Sequence, residues 1–198
     1  MSITLVQNET FNNLLADLLL EDYQLPANAQ ALINAESRYI KDLKINTGNV
    51  LNNNQHLGRK EALLLAFAIA VNEKFDPLKI AFTRLAEQEG ASEAEIAEVI
   101  ACASLMATNN VFYRFRHFMG KDFYQDTPAG IKMSIMINPV SGKEFFELIS
   151  LAVSSVNGCE MCVKSHEQSV LNHGASQGRI LESVKLAAVI KGLITVLS

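Results

Sequence analysis

Residues 146–167 read FELISLAVSSVNGCEMCVKSHE. The first eleven residues are mostly apolar and favour a helix, Asn157-Gly158 breaks it, and a second helix starts near Cys159. Residues three or four apart share a helix face, so Cys159, Cys162 and His166 form one stripe. The segment is a helical hairpin. At an i, i+3 spacing the two cysteine Cα atoms lie about 5–6 Å apart, a separation that a disulfide spans. Both cysteines occupy the first turn, where the positive helix end favours thiolate over thiol. Cys159, at the very start, is expected to be the easier one for a partner to reach. Glu147 lies about ten residues up one leg and His166 about eight up the other, a mismatch of about 3 Å. Their side chains can therefore meet, giving a Glu147–His166–Cys162 line. The carboxylate orients and charges the imidazole, and the imidazole exchanges a proton with the sulfur.

Other readings of these residues stand beside that one. Cysteine is often a small buried apolar residue, and Cys102, in the run VIACASLMA, reads that way. Cys159, Cys162, His166 and His173 could ligate zinc, although structural zinc sites draw ligands from two elements and one helix cannot wrap a tetrahedral ion. Glu147, on an apolar helix, could pair with a Lys or Arg for structural reasons, since a buried carboxylate needs a partner. His56, in NNNQHLG, reads as a surface-loop residue, and His173 as the C-terminal residue of a helix. His117, in FYRFRHF, lines a pocket or is solvated, and solvation is the expected state.

Outward from the hairpin the pattern is helical, and no segment sustains strand-like alternation, so the fold class is all-α. Helices are predicted near Thr4–Leu20, Asn28–Lys44 and Arg59–Asn72, the last apolar on nearly every side and therefore buried. Asp76-Pro77 opens another helix that ends at Gly90. Ser92-x-x-Glu95 is a capping box, and the helix after it reaches about Phe115. Phe118–Gly142 is the longest irregular piece. Ser141-x-x-Glu144 reads as a second capping box, opening the helix to Val156, and Ser176 caps the last helix. The 198 residues suit one domain, 1–198, with an internal pseudo-repeat of roughly 58–117 and 142–198. At an offset of 84 residues Gly58 falls on Gly142, and Gly90-Ala91-Ser92 on Gly174-Ala175-Ser176. The offset also sets Phe75, Leu78 and Phe82 against Cys159, Cys162 and His166, which makes the second half the site and the first half scaffold.

Composition narrows the function. Seventeen Lys+Arg against twenty-one Asp+Glu leave a net charge of −4, which disfavours nucleic acid as a partner. The longest unbroken apolar run, Ala62–Val71, is half of the roughly 20 residues that a membrane span needs. The N-terminus has no basic residue followed by an apolar stretch, so the expected compartment is the cytoplasm. Three cysteines in a reducing compartment do not make a structural disulfide framework.

The pattern Glu147-x11-Cys159-x2-Cys162-x3-His166 resembles the alkylhydroperoxidase D family within the carboxymuconolactone decarboxylase-like group. Residues 109–139, NNVFYRFRHFMGKDFYQDTPAGIKMSIMINP, resemble that family's segment joining the two halves, and YIKDLKIN, 39–46, a stretch of its N-terminal helices. The resemblance implies an AhpD-like helical fold and thiol-dependent reduction of organic hydroperoxides without cofactor or metal. Cys162 would be the peroxidatic cysteine and pass through a sulfenic acid. Cys159 would resolve it to a Cys159–Cys162 disulfide, with Glu147 and His166 as proton relay. It further implies a dihydrolipoyl-bearing protein or thioredoxin-like adaptor as reductant, a partner peroxiredoxin and a homotrimer. One departure stands out. The family often has a further His between the cysteines, where this chain has Met161, so activity is expected to be lower unless His117 substitutes. The group's decarboxylase chemistry has no use for a vicinal dithiol, and a redox-sensing or disulfide-exchange protein is the non-peroxidase alternative.

Overall fold

The structure is a computed structural model and describes residues 8–198. Among these residues there are ten α-helices, one short 3₁₀ turn and no strand. They are α1 Glu9–Asp17, α2 Ala27–Asn34, α3 Tyr39–Asn52, α4 Arg59–Asn72, α5 Asp76–Gln88, α6 Glu93–Met119, α7 Asp122–Asp126, α8 Lys143–Val156, α9 Glu160–Asn172 and α10 Gln177–Leu197. The all-α reading is correct.

Two helices form the centre because neither has a polar face to offer solvent. Every residue from Ala62 to Ala70 of α4 is buried, as is every residue from Leu148 to Ser154 of α8. The two pack on each other; α5, α6 and α10 surround α4, and α6, α9 and α10 surround α8. By length and composition alone α6 could cross a membrane, but its inner face packs on α4, α8 and α9. The segments α4–α6 and α8–α10 share their order, with lengths of 14, 13 and 27 residues against 14, 13 and 21. Their turns agree in detail. Phe75 before α5 has φ −99° and ψ 92°, and Cys159 before α9 has φ −97° and ψ 90°. Phe75 N–H donates to the Ala70 carbonyl at 3.0 Å, and Cys159 N–H to the Ser154 carbonyl at 3.1 Å.

Several sequence expectations need correction. The start of the first helix, Thr4–Gln7, lies outside the described residues; Asn8 caps α1 through its side chain, and the helix ends at Asp17. The predicted helix Asn28–Lys44 is two helices. Glu36 adopts φ +48° between them, and the bend lets α2 and α3 both pack on α10. The helix after Ser92 runs on to Met119, where Gly120 in the left-handed region stops it. The Ser92–Glu95 capping box forms, but Ser141–Glu144 does not. Gly142, not Ser141, precedes α8, and both partners are taken elsewhere. Ser141 gives its N–H and hydroxyl to the buried Glu98 of α6, and Glu144 pairs with Arg179. Residues 118–142 are largely irregular but include α7 and the 3₁₀ turn Ser134–Met136.

Arg179, in the first turn of α10, clamps both central helices. Its guanidinium reaches Glu61 of α4 at 2.6 Å, Glu144 of α8 at 2.8 Å and the His56 carbonyl at 2.7 Å. Burial pushes the Glu61 carboxyl up, but the Arg179 hydrogen bond and charge together with the Gly58 N–H outweigh it and hold the group below its ordinary value. A depressed folded pKa adds stability above the unfolded value, about 4.3, which is lost as pH falls through the folded value. Arg179→Met is therefore expected to lower the thermal midpoint by several degrees at pH 7, from a loss of about 1–3 kcal/mol. The gap between variant and wild type should narrow as pH is lowered towards 3. Melting curves across that range check both the size and the sign.

Candidate active site

The site sits where α8 turns into α9. Gly158 reverses the chain with φ +68°, a conformation that a side chain would strain. Cys159 caps α9 and Cys162 is the third residue inside it, both at the helix's positive end. Their sulfurs are bonded, with Sγ atoms 2.15 Å and Cα atoms 5.3 Å apart. Cys159 is 0% exposed and Cys162 6%, which reverses the expected accessibility. The Cys159 N–H reaches back to Ser154 and folds the residue under the end of α8, while Cys162 stands one turn further out.

One turn beyond Cys162, His166 Nδ1 lies 2.6 Å from Glu147 Oε2. The two side chains are only 11% and 15% exposed. A carboxylate so covered requires a partner, and the partner is this imidazole, not the Lys or Arg of the alternative reading. With Nδ1 engaged, Nε2 is the nitrogen left to exchange a proton. The hairpin thus brings together Glu147, Cys159, Cys162 and His166.

The remaining candidates lie elsewhere. Cys102 is buried in α6 with its sulfur 3.3 Å from Ser150 Oγ, and burial pushes its thiol up to about 12. His56 is an exposed loop residue, and His173, at the far end of α9, bonds the Ser169 carbonyl. The zinc set Cys159, Cys162, His166 and His173 is not gathered at one point. Among the described residues no three His, Cys, Asp or Glu side chains converge as a metal site. His117 is half-exposed at the rim, with Nε2 3.7 Å from Glu160 Oε2. The Glu160 carboxyl is held below its ordinary value by Lys164, with help from the charge of His117.

Sequence reasoning missed the polar frame behind the turn. Asn157 exchanges side-chain hydrogen bonds with Asn72 at the end of α4, 2.9 and 3.0 Å long, and donates to Asn110 Oδ1 of α6 at 2.9 Å. Asn110 in turn donates to Ser154 Oγ at 2.8 Å. Arg114 of α6 donates to the Asn157 backbone carbonyl at 2.6 Å. Asn157 reads from sequence only as a helix breaker. What could have marked its partners is their polarity inside apolar helices, with Asn110 and Arg114 four residues apart.

The sequence profile of the carboxymuconolactone decarboxylase family fits residues 124–197, the stretch from α7 to α10. Among individual proteins, one named alkyl hydroperoxide reductase AhpD from Coxiella burnetii (strain RSA 493) is 37% identical over 157 residues, 78% of this chain and 88% of the relative. A protein of the same name from Maricaulis maris is 34% identical over 169 residues, 85% of this chain and 96% of the relative. The chain belongs to the alkyl hydroperoxide reductase AhpD family. Two further members, from Anaeromyxobacter dehalogenans strains 2CP-1 and 2CP-C, are 46% and 47% identical over 62% and 49% of this chain, and the match spans only 64% and 52% of their own lengths.

The three thiols differ enough in setting to be told apart chemically. In the reduced, folded protein, alkylation at neutral pH is expected to label Cys162 first and spare the wholly buried Cys102, which reacts only after denaturation. After oxidation, peptide mapping is expected to find Cys159 linked to Cys162. Cys102 in the main disulfide would overturn the assignment of the site.

Proposed function

We propose that this chain is a thiol peroxidase that reduces organic hydroperoxides to alcohols through the Cys159–Cys162 dithiol. The observation that carries the reading is the bonded cysteine pair one turn from a buried Glu147–His166 hydrogen bond, on a single hairpin. The Cys162 thiolate attacks the terminal peroxide oxygen. The O–O bond breaks, the alkoxide takes a proton from the imidazole and leaves as alcohol, and the sulfur becomes a sulfenic acid. The Cys159 thiolate then attacks that sulfur, the S–O bond breaks, and the oxygen leaves as water after gaining a proton. Two electrons from an external dithiol reopen the disulfide. Glu147 keeps the imidazole oriented and charged while Nε2 exchanges the proton. Decarboxylation would leave the dithiol without a role.

The reductant in this proposal is a dihydrolipoyl-bearing protein or a thioredoxin-like adaptor, electrons pass on to a partner peroxiredoxin, and the setting is the cytoplasm. The proposed assembly is a homotrimer. Its support is an exposed apolar face on α6: Ile100, Val111, Phe115 and Phe118 follow helical spacing and are 45–76% exposed. Light scattering is expected to give three chains per particle, and Val111→Asp with Phe118→Asp to give one.

The activity is tested by mixing the reduced protein with an organic hydroperoxide and following thiol oxidation. Cys159→Ser is expected to stop at a trappable sulfenic acid on Cys162, and Cys162→Ser not to react at a comparable rate. Glu147→Gln and His166→Gln should each slow the reaction by roughly 10- to 1000-fold. Because they act as one unit, the double variant should be little slower than the slower single one. Additive losses, or normal rates in stable single variants, would remove the relay; oxidation without catalytic turnover would favour a redox sensor.

A further inference from the structure

At the hairpin turn two helix ends of opposite sign meet. The last carbonyls of α8 carry about half a negative charge and the first N–H groups of α9 about half a positive one. A thiolate on Cys159 or Cys162 gains from the second and loses from the first. What reaches that thiolate depends on how the α8 carbonyls are covered. Those of Val153, Ser154 and Ser155 accept from the N–H groups of Asn157, Cys159 and Gly158 at 3.0, 3.1 and 3.2 Å. Two residues on from Ser155, the Asn157 carbonyl accepts from the Arg114 guanidinium at 2.6 Å, which brings a full positive charge from α6. The Asn157 side chain is held meanwhile by Asn72 and Asn110, so the carbonyl cannot swing away.

We propose that Arg114 is a positioning residue for the dithiol. By bonding the Asn157 carbonyl it cancels the negative end of α8, so the positive end of α9 is left to hold a hairpin cysteine as thiolate. The proposal rests on the dithiol reading above. It names no new reactant: the thiol proton passes to solvent, and no electrons move. The other charged groups around the turn are Glu147 on α8, His166, Glu160 and Lys164 on α9, and His117 on α6. Glu147 is paired with His166, and Glu160 with Lys164 and His117, so these charges are largely compensated among themselves. Glu73, at the end of α4, accepts from Asn72 Nδ2 at 3.1 Å behind the turn and is itself paired with Lys191 of α10; the other ion pairs of α10 run to Glu61, Glu144 and Glu182.

The test is a titration of the reduced, full-length protein by thiolate ultraviolet absorbance, in wild type, Arg114→Gln, Arg114→Met and Arg114→Lys, with a thermal midpoint for each. Cys102 is expected to stay silent because burial pushes its thiol well above the ordinary thiol range. The two neutral variants are expected to raise the lower hairpin thiol pKa by about one unit, and the lysine variant to stay within a few tenths of wild type. A purely structural role would lower the midpoint and leave the titration in place. Folded neutral variants with an unchanged thiol pKa overturn the proposal. Should neither neutral variant fold, Arg114→Lys decides alone: a value near wild type supports the role of the charge, and a rise of a full unit with the charge retained overturns it. No peroxide enters the measurement, so this result and the result of the peroxidase assay are independent.

Discussion

Between α8 and α9 the chain reverses within three residues, and Glu147, Cys159, Cys162 and His166 meet only because it does. Gly158 supplies the left-handed backbone. Asn157 supplies an amide that three other side chains hold in place, from α4, from α6 and, through Asn110, from α8 itself. Neither leg of the hairpin could set this geometry alone. A hydrogen bond of 2.6 Å between Glu147 and His166 requires the two legs to keep their register, and the frame behind the turn is what keeps it.

The same bundle shows what such a site displaces. Counting back 84 residues from Glu147, Cys159, Cys162 and His166 gives Leu63, Phe75, Leu78 and Phe82. Leu63, Leu78 and Phe82 are wholly buried in the core of the first hairpin. There, dispersion and burial hold the helices together and need no particular angle between groups. At the positions 84 residues on from Leu63 and Phe82 the α8–α9 hairpin has a carboxylate and an imidazole, and burying them unpaired would cost several kcal/mol. Each therefore satisfies the other. The pairing that makes proton transfer possible is also the one that makes burial tolerable.

A second device ties the halves together away from the site. Arg179 joins the N-terminal turns of α4 and α8, the two helices buried on all sides. Carboxylates in those first turns suit the positive helix ends, and one guanidinium answers both. The buried Glu98 does similar work on the connecting segment, holding Ser141 where α8 begins. Core packing brings α4 and α8 together, while these charged contacts fix how the segments leading into them approach.

The sequence by itself determined the helical class, the buried centre at residues 59–72, the hairpin and its break, and the facing of Glu147 towards His166. All of these follow from periodicity, helix-end chemistry and rise per residue, which are local. Three of the features it misread share one reason. The division of α2 from α3, the failure of the Ser141–Glu144 capping box and the burial of Cys159 each depend on a partner distant in sequence: α10 for the first, Glu98 and Arg179 for the second, the packed end of α8 for the third. The Asn72–Asn157–Asn110 frame and the Arg114 contact were invisible on the same ground. A polar side chain on a helix looks like surface until the fold shows which buried group it faces. Only the packing of α4, α6 and α8 decided that these residues surround the turn, because a hydrogen bond between residues 85 positions apart leaves no periodic trace in the chain.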